Sequence, residues 1–413
     1  MNSPNKKWAL TCPDGIGDFL FRIPWIQAME SEGWELLLIA RAPTIETANL
    51  AGLKFTAHEL SKNPYEKSVK LSRHPFIAEK QALRKFDPSI IFLGPSQPTY
   101  LEDILSQSRL PGKTWGFSLK NSVWFGESIS TPEEISKRLD KRVAIEASDS
   151  EPKRNSKAAE ALLKKTLLHT AFHFQNFSDY DNRGEGRIAV CAGRREGDYF
   201  SGWGDANWIT ALRFFEAEGV KFVFLGSASE ADSHKVIHAG LQNPTLHTDL
   251  TGDISSLSNL LAILNTCTGF VGKDGGILHL CSALKKPTVA VFGGGHWGRF
   301  LPQGTRAVVL SVRTPCRGCD WRCHLPRPLC VEPLSPESIL NVWKKILPFG
   351  SEETLVLEQE LGAQEMEEYI KNSHQKYVTL AHEHKRFGAK TQQILHRLPW
   401  PLRAWAEKDR RYG

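Results

Sequence analysis

Short apolar segments of strand length alternate with helix-forming segments along the amino-terminal part of this chain. The predicted strands are Trp8 to Cys12, Trp34 to Ala40 and Ser89 to Leu93. The predicted helices are Phe19 to Glu30 and Thr44 to Ala51, together with a long basic helix before Ser89. Continuously apolar strands that alternate with helices are typical of a parallel sheet covered on both faces. The pattern predicts an α/β fold.

The same alternation returns in the second half of the chain. The predicted strands are Arg187 to Cys191, Lys221 to Gly226, Gly269 to Gly272 and Thr288 to Gly293. The predicted helices are Trp208 to Glu218, Ser229 to His238, Ser255 to Asn265 and Gly276 to Ala283. In a doubly wound sheet, ligands bind beyond the carboxyl ends of the strands. We therefore expect the loops at Gly193, Gly226, Gly272 and Gly293 to share one rim.

The length of 413 residues exceeds one ordinary core and favours two domains with an appendage. A polar region around Ala147 to Glu185 separates the two series. We predict an amino-terminal domain over 1–180, a second domain over 186–350 and a charged helical tail over 351–413. A content of 41% apolar and 24% charged residues is that of a globular protein.

The formal net charge of +6 is small for this length and is spread along the chain. It suits an anionic small molecule or peripheral contact with a membrane surface. No winged helix, RNA-binding strand signature or basic helix is evident, so no nucleic-acid partner is expected. The first residues lack the apolar stretch of a secretory signal, and the longest apolar runs are far shorter than the ~20 residues that span a bilayer. A cytoplasmic location is expected.

The segment from Gly272 to His279 is the strongest sign of a ligand site. Lys273, Asp274, Gly275 and Gly276 lie where a strand gives way to a helix, and His279 follows one turn later. Paired glycines allow a ligand to approach the backbone, and the free amides at a helix N-terminus favour a diphosphate. The alternative is that Asp274 only caps the helix and His279 packs on the sheet.

These residues carry a resemblance to a known family. The matching positions are Asp249-Leu-Thr-Gly252, Gly272-Lys-Asp-Gly-Gly276, His279, Ala283, Lys286-Pro287, Phe292-Gly293 and Pro302. Together they resemble the donor half of the family 9 glycosyltransferases, bacterial heptosyltransferases that use ADP-heptose. The usual motif reads N-D-S-G-P-x-H, from which Lys273, Gly275 and Ile277 depart.

The resemblance implies a GT-B fold, in which two Rossmann-like doubly wound domains face a cleft. It implies inverting transfer of a sugar from a nucleotide-sugar donor to a hydroxyl of a glycan or a protein, without a catalytic metal. Two rival functions are a nucleotide-sugar epimerase of the same architecture and a non-catalytic protein that binds nucleotide-sugars or acts in assembly. The charged tail is expected either to pack back across the first domain or to make a homo-oligomer contact.

The amino-terminal turn supports the same family. Gly17-Asp18 followed by Phe19-Leu20 and Pro24 is similar to the family's first strand-turn-helix. By that resemblance Asp18 is the candidate general base, which would accept the proton of the acceptor hydroxyl. Asp14 is the alternative base, and Asp18 as the N-cap of the following helix is the alternative role.

Three further side chains are weaker candidates for the donor site. Arg194 and Arg195 follow a strand, and guanidinium groups match the geometry of phosphate. The family has a lysine before a tryptophan at the position of Ser201-Gly202-Trp203, so one of the arginines is expected to replace it. Glu230 matches an acidic family position near the nucleotide, and a solvated glutamate at a helix start is the alternative.

The chain has eight cysteines, of which Cys12, Cys191, Cys267 and Cys281 are predicted to be small core residues. The others form a cluster at short spacing: Cys316, Cys319, Cys323 and Cys330. Four thiolates at such spacing suit a structural zinc or iron, with His324 a less favoured ligand. The alternative is free or disulfide-forming cysteines. The cluster resembles the iron-binding finger of the autotransporter heptosyltransferase branch, which would make the acceptor a protein serine.

Overall fold

The computed structural model describes residues 6–66, 75–119, 128, 130–166, 174, 177, 180–194, 203–295, 297–303, 306–319, 323, 325–346 and 354–373. The contacts within the chain divide it into two units, which are Met1–Asn176 and Phe177–Gly413. Each unit is built around its own parallel sheet.

Unit 1 contains a sheet of six strands in the order β3-β2-β1-β4-β5-β6. Its strands are β1 Lys7–Cys12, β2 Glu35–Ala40, β3 Thr56–Glu59, β4 Ile90–Leu93, β5 Lys113–Leu119 and β6 Lys141–Ile145. Its helices are α1 Ile16–Leu20, α2 Ile23–Ser31, α3 Ala42–Leu50, α4 Ile77–Phe86, α5 Tyr100–Ser106, α6 Pro132–Arg138 and α7 Glu151–Leu163. All five strand pairs are parallel.

The core of unit 1 forms where α2 packs on the central strands. The Trp8 ring of β1 lies 5.2 Å from the Trp25 ring of α2, and Trp25 meets Phe92 of β4 edge-to-face at 4.8 Å. All three side chains are almost fully buried. Burial of a large apolar side chain contributes on the order of 1.5–3 kcal/mol. These contacts therefore fix the first βα turn, which carries Asp14 and Asp18.

The single helix predicted from Phe19 to Glu30 is wrong. The chain forms α1 and α2, with a break at Phe21 and Arg22. Pro24 lies in the first turn of α2, where its missing N–H cannot bond to a preceding turn. The proline therefore starts a new helix instead of continuing α1.

Unit 2 contains a sheet of seven strands in the order β13-β12-β11-β10-β7-β8-β9. Its strands are β7 Arg187–Cys191, β8 Lys221–Phe224, β9 Thr248–Asp249, β10 Gly269–Lys273, β11 Thr288–Val291, β12 Ala307–Arg313 and β13 Leu355–Glu360. Its α-helices are α8 Asp205–Ala217, α9 Ala231–Ala239, α10 Leu257–Thr266, α11 Gly276–Ala283, α12 Pro336–Ile346 and α13 over 363–373. Short 3-10 turns lie at Asn182–Gly184, Ala228–Glu230 and Pro244–Leu246.

The direction of the strands in unit 2 determines where a ligand can bind. All six pairs are parallel, so the loops that follow the strands lie along one edge of the sheet. From β7 the chain proceeds to β8 and β9 on one side and returns to β10 on the other. The prediction of two Rossmann-like, doubly wound domains of the GT-B class is confirmed.

The segment predicted as a helical tail begins with a strand. Leu355–Glu360 pairs with β12, with Val308 opposite Leu355 and Arg313 opposite Glu360. Helix α13 follows, and residues 374–413 lie outside the described residues. A charged sequence concealed this strand, because an edge strand that is mostly exposed needs few apolar positions.

The structure also bears on contact with membranes. Among the described helices, none is both long enough and apolar enough to cross a bilayer.

Candidate functional site

The start of α11 is the centre of the candidate site in unit 2. The helix begins at Gly276, as predicted, with Gly275 as its N-cap in an extended conformation. A Cβ atom added to Gly275 or to Gly276 would have no heavy atom of the described residues within 4 Å, apart from the adjoining residues and the backbone of the helix itself. The first amides of a helix lack partners within the helix and favour an anion. This end of α11 therefore leaves room for a phosphate to approach the backbone.

Asp274 and His279 flank this helix start. The N-cap is Gly275, which has no side chain, so Asp274 does not occupy the capping position that the alternative assigned to it. One carboxylate oxygen of Asp274 lies 3.7 Å from Nε2 of the buried His279. The structure thus brings these two predicted residues together at the rim.

Lys273 and Glu230 form a buried ion pair. The Lys273 ammonium lies 3.0 Å from Oε1 of Glu230, and the side chains are 8% and 6% exposed. The other oxygen of Glu230 accepts from the backbone N–H of Ser227 at 2.9 Å and from its hydroxyl at 2.8 Å. Burial alone would raise the pKa of Glu230, but Lys273 and Ser227 outweigh burial and lower it. The alternative of a solvated glutamate is wrong.

His234 supports the same rim from α9. Its Nε2 accepts the backbone N–H of Ala192 at 3.0 Å, and its Nδ1 lies 2.7 Å from the hydroxyl of Thr251. Since Nε2 acts as an acceptor, the ring is neutral and carries its proton on Nδ1. Burial lowers the pKa of His234 to about 4, which keeps the ring neutral at physiological pH.

The Arg194 side chain is already paired. Its Nε and Nη2 each lie 3.2 Å from a carboxylate oxygen of Asp205, at the first residue of α8. Asp205 also accepts from the hydroxyl of Ser233. Arg194 therefore lies at the rim with its charge balanced, and Arg195 lies outside the described residues.

In unit 1, Asp14 and Asp18 occupy the first βα turn with different surroundings. Nη2 of Arg22 donates to Asp14 at 2.5 Å, and the Tyr65 hydroxyl donates to its other oxygen at 2.8 Å. Asp18 lies in the first turn of α1, whose N-cap is Gly15. Asp18 is therefore not the N-cap. Both carboxylate oxygens of Asp14 thus accept a hydrogen bond from another side chain.

The cysteines fall into two groups, as predicted. Cys12, Cys191, Cys267 and Cys281 are buried, and burial raises the pKa of Cys12 and of Cys267 to about 12. In the cluster Cys316 is buried and the other three are partly exposed, and among the described residues none of the four forms a disulfide bond. No three Cys, His, Asp or Glu side chains in the described parts of the chain are placed to hold a metal ion together. The metal centre stays a prediction.

Several residues of the site were not identified from the sequence. Asp205 pairs with Arg194, and His234 bonds to Ala192 and Thr251. In unit 1, Arg22 and Tyr65 donate to Asp14. The only signal was position, because Asp205 directly follows Gly204 and Thr251 directly precedes Gly252.

The comparisons with known proteins agree with this geometry. The sequence profile described as glycosyltransferase family 9 (heptosyltransferase) matches residues 147–324. Lipooligosaccharide heptosyltransferase 2 of Campylobacter jejuni is 24% identical over 147 residues, which are 35% of this chain and 46% of the relative. The chain therefore aligns with about half the length of this curated relative.

Solved structures share the fold. A family 9 glycosyltransferase from Veillonella parvula superposes with a TM-score of 0.65 at 14% identity, over 84% of this chain and 99% of the other. The ADP-heptose lipopolysaccharide heptosyltransferase II of E. coli superposes with a TM-score of 0.62 at 16% identity, over 83% and 98% of the two chains. Residues 147–324 thus match glycosyltransferase family 9 in sequence, and the solved structures of this family share the fold of the chain.

Proposed function

We propose that this protein is an inverting glycosyltransferase that moves a sugar from an ADP-sugar to a hydroxyl. The proposed sugar is heptose. The observation that carries the proposal is the open approach to Gly275 and Gly276 at the start of α11, within the segment that matches the family. The ADP-heptose donor is suggested by the E. coli enzyme that shares the fold. Asp274, His279, Lys273, Glu230, Arg194 and Arg195 are the proposed residues of the donor site.

The proposed reaction is a single displacement. The acceptor oxygen forms a bond to the anomeric carbon while the bond from that carbon to the diphosphate breaks. The electron pair leaves with the diphosphate, and the hydroxyl proton passes to Asp18 as general base. The backbone N–H groups at the start of α11 stabilise the departing diphosphate, because they already point towards the developing negative charge. No catalytic divalent metal is therefore required.

Two measurements test this mechanism. Asp18→Asn should retain binding of the donor and lose transfer, whereas Asp87→Asn, at an exposed position of unit 1, should keep both. Asparagine tolerates the left-handed backbone of Asp87, so the control keeps its conformation. Unchanged transfer by Asp18→Asn would place the base elsewhere. Turnover that is lost on chelation and restored by magnesium alone would refute the metal-independent mechanism.

The donor is identified by its effect on thermal unfolding. ADP-, GDP- and UDP-sugars are compared, because a ligand at a hundred times its dissociation constant stabilises the folded state by about 2.7 kcal/mol. The ADP-sugar should give the largest shift. Binding without transfer to any acceptor would favour the non-catalytic protein that binds nucleotide-sugars.

NMR of the product gives the anomeric configuration, and retention would contradict the inverting displacement.

The acceptor is proposed to be a hydroxyl of the lipopolysaccharide core, which the C. jejuni relative suggests by its name. A protein hydroxyl is the alternative suggested by the cysteine cluster. Mass spectrometry of glycan and protein acceptors after incubation with donor separates them.

The proposed structural metal is iron or zinc at Cys316, Cys319, Cys323 and Cys330. Elemental analysis of protein purified without chelator should find about one equivalent of metal, which Cys316→Ser should lose. Its absence from the unmodified protein would favour the alternative of free or disulfide-forming cysteines. A homo-oligomer and peripheral membrane contact remain part of this proposal, and light scattering and vesicle sedimentation test them.

A further inference from the structure

The ion pair between Lys273 and Glu230 crosses the end of a strand. Lys273 is the last residue of β10, and Glu230 ends the 3-10 turn that follows β8. In the sheet, β7 lies between β10 and β8. The pair, with 3.0 Å between Nζ and Oε1, therefore bridges above the carboxyl end of β7.

The residue beneath this bridge is Gly193. A Cβ atom there would lie 2.8 Å from the carbonyl oxygen of Glu230 and 2.9 Å from Cδ2 of His234. Real Cβ atoms do not approach so closely, so this position requires glycine. The absence of a side chain at Gly193 allows the backbone of Glu230 and the ring of His234 to lie close to the loop after β7.

The bridge lies where the order of the strands reverses. The chain proceeds from β7 to β8 and β9, and then continues from β10 on the opposite side of β7. In doubly wound sheets, the crevice at this reversal is where nucleotides bind. The Lys273 ammonium therefore lies at the crevice where ligands bind in sheets of this topology.

The Lys273 ammonium also has more N–H groups than its ion pair with Glu230 uses. An ammonium group has three N–H donors. In the described part of the chain, Glu230 is the only ion-pair partner recorded for Lys273. Arg194, in contrast, has both of its measured contacts on Asp205. Of these two cations, Lys273 is the better placed to add contacts to an anion.

We propose that Lys273 binds the diphosphate of the nucleotide donor and that Glu230 positions its ammonium at the strand reversal. This inference rests on the proposed function and assigns one part of the donor to one residue. Negative charge accumulates on the diphosphate as the sugar leaves, and a cation held in place stabilises that charge without reorganisation.

Calorimetric titration of the full chain with ADP, AMP and adenosine tests the assignment. Lys273→Met should weaken ADP by about tenfold to a hundredfold, as expected for loss of a charge-assisted hydrogen bond, and should leave adenosine unchanged. Lys273→Arg should restore part of the ADP affinity. Lys221→Met, at an exposed lysine that begins β8 at the opposite edge of the sheet, is the control and should bind like the unmodified protein.

A second variant guards against misfolding, because Lys273→Met leaves a buried carboxylate without its counter-ion. Lys273→Met with Glu230→Gln removes the whole pair and should show the same loss in the ratio of ADP to adenosine affinity. Equal weakening of ADP and adenosine, or an unchanged ratio in both variants, would overturn the assignment. Failure of the unmodified protein to bind any nucleoside diphosphate would instead overturn the proposed function.

Discussion

Nη2 of Arg22 lies 2.5 Å from Oδ2 of Asp14, in a pair whose arginine is almost fully buried. Burial by itself would lower the pKa of Arg22, but Asp14 and the neighbouring acidic groups raise it well above its ordinary value. Among the described residues, Nε and Nη1 of Arg22 have no hydrogen-bond partner, and Asp14 is the largest of the attractive charges that raise the pKa.

Removal of one partner of this pair should therefore destabilise unit 1 strongly. Arg22→Gln leaves the Asp14 carboxylate without its counter-ion, and we expect a loss of about 3–5 kcal/mol in the free energy of unfolding. The measurement is urea unfolding followed by circular dichroism. The double variant with Asp14→Asn should lose less than the sum of the two single changes, and strict additivity would show that the two residues are not coupled.

His234 should make stability depend on pH. Its pKa is about 4 in the folded protein and ~6.5 when unfolded. Between these values only the unfolded chain binds the proton, so the free energy of unfolding falls as the pH falls from 6.5 to 4. The loss from this group should reach about 3 kcal/mol at the acid end.

Chemical denaturation at a series of pH values measures this slope. In His234→Gln the slope of the free energy of unfolding against pH should decrease by the equivalent of up to one bound proton. Glutamine can accept the Ala192 N–H but does not titrate. His238→Gln, on the same helix, should retain it. Identical slopes in all three proteins would mean that His234 does not titrate as described.

Two neighbouring glycines should respond differently to alanine. A Cβ at Gly272 would lie 2.5 Å from the carbonyl oxygen of Cys191, so Gly272→Ala should cost about 1–3 kcal/mol of stability through overpacking. Gly275 has open space and an extended backbone, so Gly275→Ala should fold normally. The added methyl group should instead weaken ADP binding.

Thermal unfolding and ADP titration of both variants provide the comparison. If Gly275→Ala binds ADP as tightly as the unmodified protein, the phosphate does not approach this part of the backbone.

Helix α13 should be held locally by Arg327 and Glu368. Arg327 donates from Nε at 3.0 Å to both oxygens of Glu368, and Nη2 contacts one of them as well. Both side chains are partly exposed, so Glu368→Gln should cost no more than about 1 kcal/mol. Hydrogen exchange over 363–373 should become faster while exchange in β7 stays the same. Glu367→Gln, at an exposed position of the same helix, is the control.

The sequence predicted those elements whose apolar pattern is continuous. The bounds of α11 were predicted to the residue, and β1, β2 and β7 within one residue at either end. In contrast, β5 and β6 each combine polar with apolar residues, and neither was predicted from the sequence. Local periodicity identifies continuously apolar strands better than strands that mix polar and apolar residues.

The residues of the candidate site were likewise predicted only where a local sequence pattern contains them. Asp274, Gly275, Gly276 and His279 are consecutive or one turn apart, so a motif could contain them. The partners of Arg194 and Asp14 were hidden, because those contacts join α8 to the loop after β7 and the loop after β3 to that after β1. Side-chain partners across loops depend on the sheet order, which single-sequence patterns do not provide.

Strand β13 shields one side of β12 along six paired positions. All but the last residue of β12 are buried, so this strand is an apolar ribbon with unsatisfied backbone groups once its neighbour is removed. A shortened chain that ends before Leu355 would offer that ribbon to any other extended peptide. Precipitation or strand exchange between copies, and not merely a less stable monomer, is the result to expect from such a truncation.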